Sequence, residues 1–436
     1  MTRETFASKF GLLATMIGVA VGLGNVWRFP YLVGKFGGAA FVICYVAAVV
    51  LIGMPALVAE WLLGRHTRRG TVGAFARAGL PGGRGIGWFF FAVVAAATAY
   101  YSNALGWVLH YSLGELVRPF GVAWDSAAVL PPESGFDAGS LVRQLLCTGT
   151  VIVTCALVLA RGLRQGIERA SRVIMPTLAV ALVIVMIRSL TLPGAMAGVE
   201  WYLLKVDWSS LSPRVMMAAL GQAVFSLSLG GTFMVIYGSY LDEKTQLVPN
   251  ALWTALGDLG AGLLAGLAIL PAVFAFGLEP GSGPGLLFST LPSAFAAMPA
   301  GWLFGAVFFL ALFGAAYLSD VGAFEVLVAG LVDSRGWSRR RAVWLVAGVV
   351  FLLAIPSMIN LEIFVPWDLT FGSGMQTLGA LAAVVTVGWW LARRDVLSEL
   401  GAEGRGGIWL YRWLRYVVPL AIGGVGAWWL TTEVIK

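Results

Sequence analysis

The stretch VAVGLGNVWRFP, residues 19–30, lies inside an apolar segment long enough to cross a bilayer. Gly22 and Gly24 weaken its helix in the middle. Unpaired backbone at membrane depth is costly, and survives only where it is buried in protein or lines a wet cavity. The interruption is therefore either a kink between packed helices or a binding site. Asn25 and Arg28 follow within one turn, and an arginine at that depth needs a partner. That pair favours a site over a glycine-rich packing face of the kind many membrane helices carry.

Outside this stretch, composition sets the class. Of 436 residues, 59% are hydrophobic and only 12% charged, with a mean hydropathy of +0.85. A soluble domain cannot cover that much apolar surface, so the solvent is lipid. The net charge of +7 does not mark a nucleic-acid binder, because the basic residues sit in loops between apolar runs. Cys44, Cys147 and Cys155 all fall in apolar runs, which argues against a disulfide framework or a thiolate metal site. His66 and His110 are too far apart in sequence to suggest one either. The first apolar run has no cleavage site after it and reads as a retained span.

About eleven segments have the length a bilayer requires. They cover roughly residues 10–33, 39–63, 87–117, 141–159, 166–187, 213–240, 247–276, 302–332, 342–359, 364–391 and 409–431. Arginines crowd alternate loops, as with Arg65, Arg68 and Arg69, then Arg161 and Arg164, then Arg339 to Arg341, and last Arg393, Arg394, Arg405, Arg412 and Arg415. The intervening loops carry mostly acids. The positive-inside rule then makes the N-terminus cytoplasmic, and an odd number of spans leaves the C-terminus outside.

The sixth segment repeats the interruption. It contains SLSLGGT, residues 226–232, with Gly230 and Gly231 mid-helix. An odd offset between two broken spans reverses their orientation, the mark of an inverted-topology repeat with a site between the breaks. The fold expected is an all-α integral membrane protein built of inverted five-helix repeats, residues 1–190 and 191–395, with broken first and sixth transmembrane helices. Residues 396–436 add a loop and an eleventh helix. Half-helix N-termini there suit an anionic group, and freed carbonyls suit cations.

The segments AVGLGNVWRFP and GQAVFSLSLGG, with Tyr100, Tyr101 and Trp107 in the third span, resemble the neurotransmitter:sodium symporter family, and most of all its bacterial amino-acid transporters. The resemblance covers nearly the whole chain. It implies a sodium-coupled importer of an amino acid working by alternating access in the bacterial inner membrane, with one or two sodium ions and no organic cofactor. It places the substrate carboxylate on the amides of Leu23 and Gly24 near the Tyr101 hydroxyl. The substrate amino group meets carbonyls near Val19, Phe225 and Ser226, and Ser228, Gly231, Asp320 and Ala323 complete the pocket. The first sodium takes Ala20, Asn25 and Ser226, and the second Gly18, Val21 and groups from Ala315 to Ser319. Arg28 should face Asp368 across an outer gate, and Arg3 should face Asp333 across an inner one beside Phe6 and Tyr240. The resemblance says nothing of oligomeric state.

Departures from the family pattern matter as much. The eighth span reads AAYLSDVGAFE, residues 315–325, so Leu318 stands where an oxygen ligand is usual and Asp320 where a small hydroxyl is. An acid at that depth completes a cation site, carries a proton, faces a basic substrate group, or forms a structural pair. Asp258, in the seventh span, is the other buried acid, and near the first sodium it would supply the negative charge that chloride supplies elsewhere in the family. Members that move amines without a carboxylate tend to carry an acid at the position of Gly22, so the substrate here should keep its own carboxylate. Ala97, Gly231 and Ala323 suggest a roomy pocket, for which large neutral and basic amino acids both qualify. The competing readings are a substrate-binding sensor and a proton-coupled transporter on the same scaffold. No nucleophile–base arrangement suggests an enzyme.

Overall fold

The computed structural model describes residues 4–281, 286–401 and 404–431, and all of its regular structure is helical. Among the described residues, eight helices are continuous and apolar enough to cross a membrane, running from Ala39–Thr67 to Leu361–Trp390. The first span is a bent pair, Lys9–Ala20 and Gly24–Phe36, whose halves turn by 55°. The sixth is split into Pro213–Ser226 and Phe233–Gly238. A last helical stretch, 405–429, completes the order expected from sequence.

Local chemistry explains where the helices begin. The Ser8 hydroxyl accepts the amide of Gly11 at 3.0 Å, and Ser212 caps the sixth span by accepting Val215 N–H at 3.3 Å, with Pro213 in the first turn. Thr71–Arg77, Ala195–Val199 and Leu291–Ala297 are short helices in loops. The hydropathy of the loops gave no hint of them, because they are too short to show a period.

The third and eighth spans, Gly83–Phe120 and Gly301–Arg335, are the longest and pack along one another. Against this scaffold lie the two broken spans. Packing beside the breaks is close enough to fix residue type. A side chain at Gly64 would strike the Val235 carbonyl, and one at Gly238 would strike the Trp61 backbone. The second span therefore holds the inner half of the sixth at near-backbone contact.

Candidate substrate and ion site

The break in the first span is made by residues 21–23. Val21 ends the helix in an extended conformation, and the Asn25 side chain turns back so that its Oδ1 accepts Gly22 N–H at 3.1 Å. Leu23 N–H donates to the Tyr101 hydroxyl at 3.2 Å, across from the third span. Gly22 is required here: a Cβ would lie 2.6 Å from the Ser319 hydroxyl and 2.7 Å from that of Tyr101. A side chain there, such as the acid of family members that move amines, would have to displace one of these two hydroxyls.

The break in the sixth span, residues 227–232, has an unusual backbone. Ser228 and Thr232 both adopt positive φ, 51° and 57°, and Gly230 lies at 84°. Such residues persist only where neighbours over-determine them. Glu60, fully buried in the second span, accepts Gly230 N–H at 2.7 Å. The Ser228 hydroxyl crosses to the first break and donates to Val19 O at 2.9 Å. The two breaks are thus tied together by the carbonyl that one of them frees.

Three groups of oxygens form around this junction. In the first, Asn25 Nδ2 donates to Ser226 Oγ at 2.8 Å and to Asp258 Oδ1 at 2.7 Å, and Ser226 Oγ donates to Asp258 Oδ2 at 2.7 Å. Tyr45 adds its hydroxyl to Ser226 at 3.0 Å, and Gln222 donates to Gly24 O at 2.9 Å. Asp258 is wholly buried, and no basic side chain pairs with it among the described residues. A carboxylate in that setting is stable ionised only beside a cation, so the donor set fits a hard monovalent cation.

In the second group, Ser319 Oγ lies 3.1 Å from both Val19 O and Val21 O. One hydroxyl proton serves two carbonyls, which leaves oxygen density facing inward. Ala315 is buried on the same helix. Leu318 is not a bystander here: its Cδ1 would lie 2.7 Å from a Cβ at Gly18, so a methyl group closes on the backbone that a ligand oxygen would otherwise share.

The third group is the cavity itself, of about 50 Å³, lined by Gly22, Gly24, Tyr101, Phe225, Ser228 and Ser319 on its polar side. Ala97, Phe233 and Ala323 add apolar lining, and Thr98, Tyr100 and Gln376 add uncharged polar groups. The Phe225 ring lies against Gly24 and the Phe233 ring against Gly231. Above Phe225, the Arg28 guanidinium sits 4.4 Å from the ring centroid and opens onto an outer cavity of about 430 Å³.

Asp320 is not brought into this arrangement. Ser102 Oγ lies 3.0 and 3.2 Å from its two carboxylate oxygens, and the Cys155 thiol donates at 3.8 Å. Ser319 faces the first break, and one residue onward turns about 100° around the helix, toward the third and fourth spans. Asp320 thus sits in a buried polar cluster with Ser102 and Cys155 behind the cavity wall formed by Tyr101 and Ser319, and does not itself line the cavity.

The gates show a similar mixture. Arg28 and Asp368 line one outer cavity and interact electrostatically, with the Tyr100 hydroxyl bonded to Asp368. On the inner side Arg3 lies outside the described residues. Asp333 Oδ2 accepts Gly70 N–H at 2.9 Å. Tyr240 donates to Glu325, which also pairs with Arg339 at 2.6 Å. Glu60, Tyr45, Gln222, Ser102, Glu325 and Phe233 went unmarked in the sequence reading. For Glu60 and Glu325 a signal existed, since an acid within an apolar span is itself a functional hint.

The sequence profile of the Sodium:neurotransmitter symporter family matches residues 3–133 and 123–390. A sodium-dependent transporter of Bacillus subtilis is 35% identical over 96% of this chain and 95% of its own. One of Haemophilus influenzae is 32% identical, covering 96% of each. The Drosophila melanogaster sodium-dependent serotonin transporter is 29% identical over 82% of this chain and 64% of its own length. Among solved structures, MhsT in complex with L-phenylalanine superposes with a TM-score of 0.87 at 33% identity, covering 97% of this chain and 99% of that one.

Proposed function

The chain belongs to the sodium:neurotransmitter symporter family and is a sodium-dependent multi-pass membrane transporter, not an enzyme; from that premise we propose that it imports a neutral, largely apolar α-amino acid together with sodium by alternating access. The membrane is the bacterial inner membrane, with the N-terminus cytoplasmic and the C-terminus outside. The observation that carries the substrate class is a cavity that joins hydrogen-bonding groups from the first break to a lining without charged side chains. At that break the Leu23 amide and the Tyr101 hydroxyl face each other, and a carboxylate accepts from both. Elsewhere in its lining Ala97, Thr98, Tyr100, Phe233, Ala323 and Gln376 offer no charge. The engagement of Asp320 by Ser102 and Cys155, and the lack of a carboxylate in the lining of the cavity, support the neutral member of the two classes left open by sequence. MhsT carries L-phenylalanine in its solved complex, a ligand of the same character.

The substrate ammonium takes the Val19 carbonyl and those of Phe225 and Ser226. Ala20, Asn25, Ser226 and Asp258 hold the first sodium, with Asp258 supplying a fixed negative charge. Gly18, Val21, Ala315 and Ser319 hold the second, one oxygen short because of Leu318. Arg28 over Phe225 closes the path from the outer cavity, with Asp368 as its partner. Tyr240, Glu325 and Arg339 close the inner side, together with Arg3 and Asp333.

Uptake into proteoliposomes tests the reading. An inward sodium gradient should drive accumulation of labelled phenylalanine or leucine, and lysine should compete weakly. Lysine uptake equal to that of phenylalanine would remove the apolar assignment. Accumulation unaffected by sodium would remove the coupling.

A further inference from the structure

The tenth and eleventh spans meet in a cluster of arginines and aromatic rings that the transport site does not use. Arg393 follows the tenth span, and its guanidinium lies 5.8 Å from the Tyr411 ring. Arg415, from the eleventh, donates to the same tyrosine hydroxyl at 2.9 Å and stacks over Trp389 at 4.4 Å. Trp389 Nε1 returns a bond to Arg415 O at 2.9 Å. A Cβ at Gly388 would lie 3.0 Å from the Arg415 backbone. The two guanidinium groups are therefore fixed about one tyrosine by the packing of two helices.

Charge and exposure both stand out. Among the described residues, none of Arg393, Arg394, Arg412 and Arg415 has a carboxylate within 4.0 Å, and the acid of this loop that does pair, Glu399, serves Arg65 at 2.6 Å. Arg415 Nε is buried and has no hydrogen-bond partner in the structure. Around these cations the rings remain open: Trp389 is 51% exposed and Tyr416 50%. Exposed tryptophan and tyrosine beside arginine place this surface at headgroup level, where amphipathic rings settle. The arginine bias of this loop puts it on the cytoplasmic side.

We propose that this junction is a binding site for the phosphodiester headgroup of an anionic phospholipid of the cytoplasmic leaflet. Arg393 and Arg415 grip the phosphate, Arg394 and Arg412 widen the positive field, and Trp389 lies along the glycerol and upper acyl chain. The occupant is a lipid rather than a soluble anion because the cations are bounded by exposed apolar rings on the helix surface. The chemistry is that of basic pockets between membrane helices that take anionic headgroups. It is independent of the substrate assignment.

The test is native mass spectrometry of the full-length protein released from an equimolar mixture of phosphatidylglycerol and phosphatidylcholine. The wild type should retain phosphatidylglycerol in preference. Arg393→Gln with Arg415→Gln should reduce that preference about 30-fold, from about 1 kcal/mol for each basic side chain near the surface. Arg340→Gln with Arg341→Gln, on another basic loop, should leave it unchanged. Arg393→Lys with Arg415→Lys should keep most of it. An unchanged melting profile in phosphatidylcholine alone guards against a misfolded variant, and a variant that fails this check is replaced by the single Arg393→Gln, expected to lose about 5-fold. Equal retention of the two lipids by the wild type, or undiminished preference in Arg393→Gln with Arg415→Gln or in its single Arg393→Gln replacement, overturns the proposal. So does displacement of the bound lipid by soluble glycerol phosphate.

Discussion

Tyr101 holds a position that only the break in the first span creates, since Leu23 N–H reaches its hydroxyl where a continuous helix would have used that amide internally. A tyrosine in a membrane helix otherwise reads as an interfacial aromatic. Here the hydroxyl also lies where any side chain at Gly22 would go. Tyr101→Phe removes one hydrogen bond to a charged substrate group, worth about 1.5–3 kcal/mol. Affinity for phenylalanine in a scintillation proximity assay should fall roughly 10- to 150-fold with the fold intact. Unchanged affinity would take Tyr101 out of the carboxylate site. The neighbouring acid Asp320 teaches the converse. Its depth in the span was legible, but its direction was not, because a single register step decides whether a helix residue faces the cavity or Ser102.

The two broken helices are elements whose interruption is held from outside. Gly230 sits at φ 84°, and a Cβ there would lie 1.6 Å from Gln376 O, on the tenth span. The second span adds Glu60, whose carboxylate holds the Gly230 amide. Gly230→Ala meets a left-handed backbone penalty of about 1–2 kcal/mol and an overpacking penalty of about 1–3 kcal/mol. The expected result is a clear drop in melting temperature of the detergent-purified protein and loss of substrate binding. Gly260→Ala, where nothing lies within 4 Å, is the control and should melt like the wild type. A Gly230→Ala protein with wild-type melting would mean that the break relaxes freely and is not fixed by the second and tenth spans.

At the scale of the whole molecule, the quantity of interest is charge moved per substrate. In the first oxygen group, Asn25, Ser226 and the buried Asp258 are in mutual contact. In the second, Leu318 closes on Gly18, and Asp320 is bonded to Ser102. Each net charge carried inward gains about 2.3 kcal/mol per 100 mV, which supports roughly 50-fold accumulation. Reversal potentials in proteoliposomes should therefore report about one net positive charge per neutral amino acid, in keeping with the weakened second group. A value of two would show that Gly18, Val21, Ala315 and Ser319 suffice without a further ligand.

The sequence by itself determined the solvent, the order of spans, the two breaks and the family. Each of these rests on composition or on local backbone chemistry: apolar length, paired glycines within a span, arginine in alternate loops. The family resemblance named Asn25, Ser226 and Asp258 together, and their contact joins the first span to the sixth and seventh across more than two hundred positions. Only the tertiary structure decided which polar side chains meet. Glu60 reached Gly230, Asp320 turned to Ser102, and Tyr240 found Glu325 rather than the terminal gate alone. In a span that is apolar all round, no amphipathic stripe tells the inward face from the lipid face. The direction of each buried polar group is then set by helix rotation and packing, which the neighbouring spans impose.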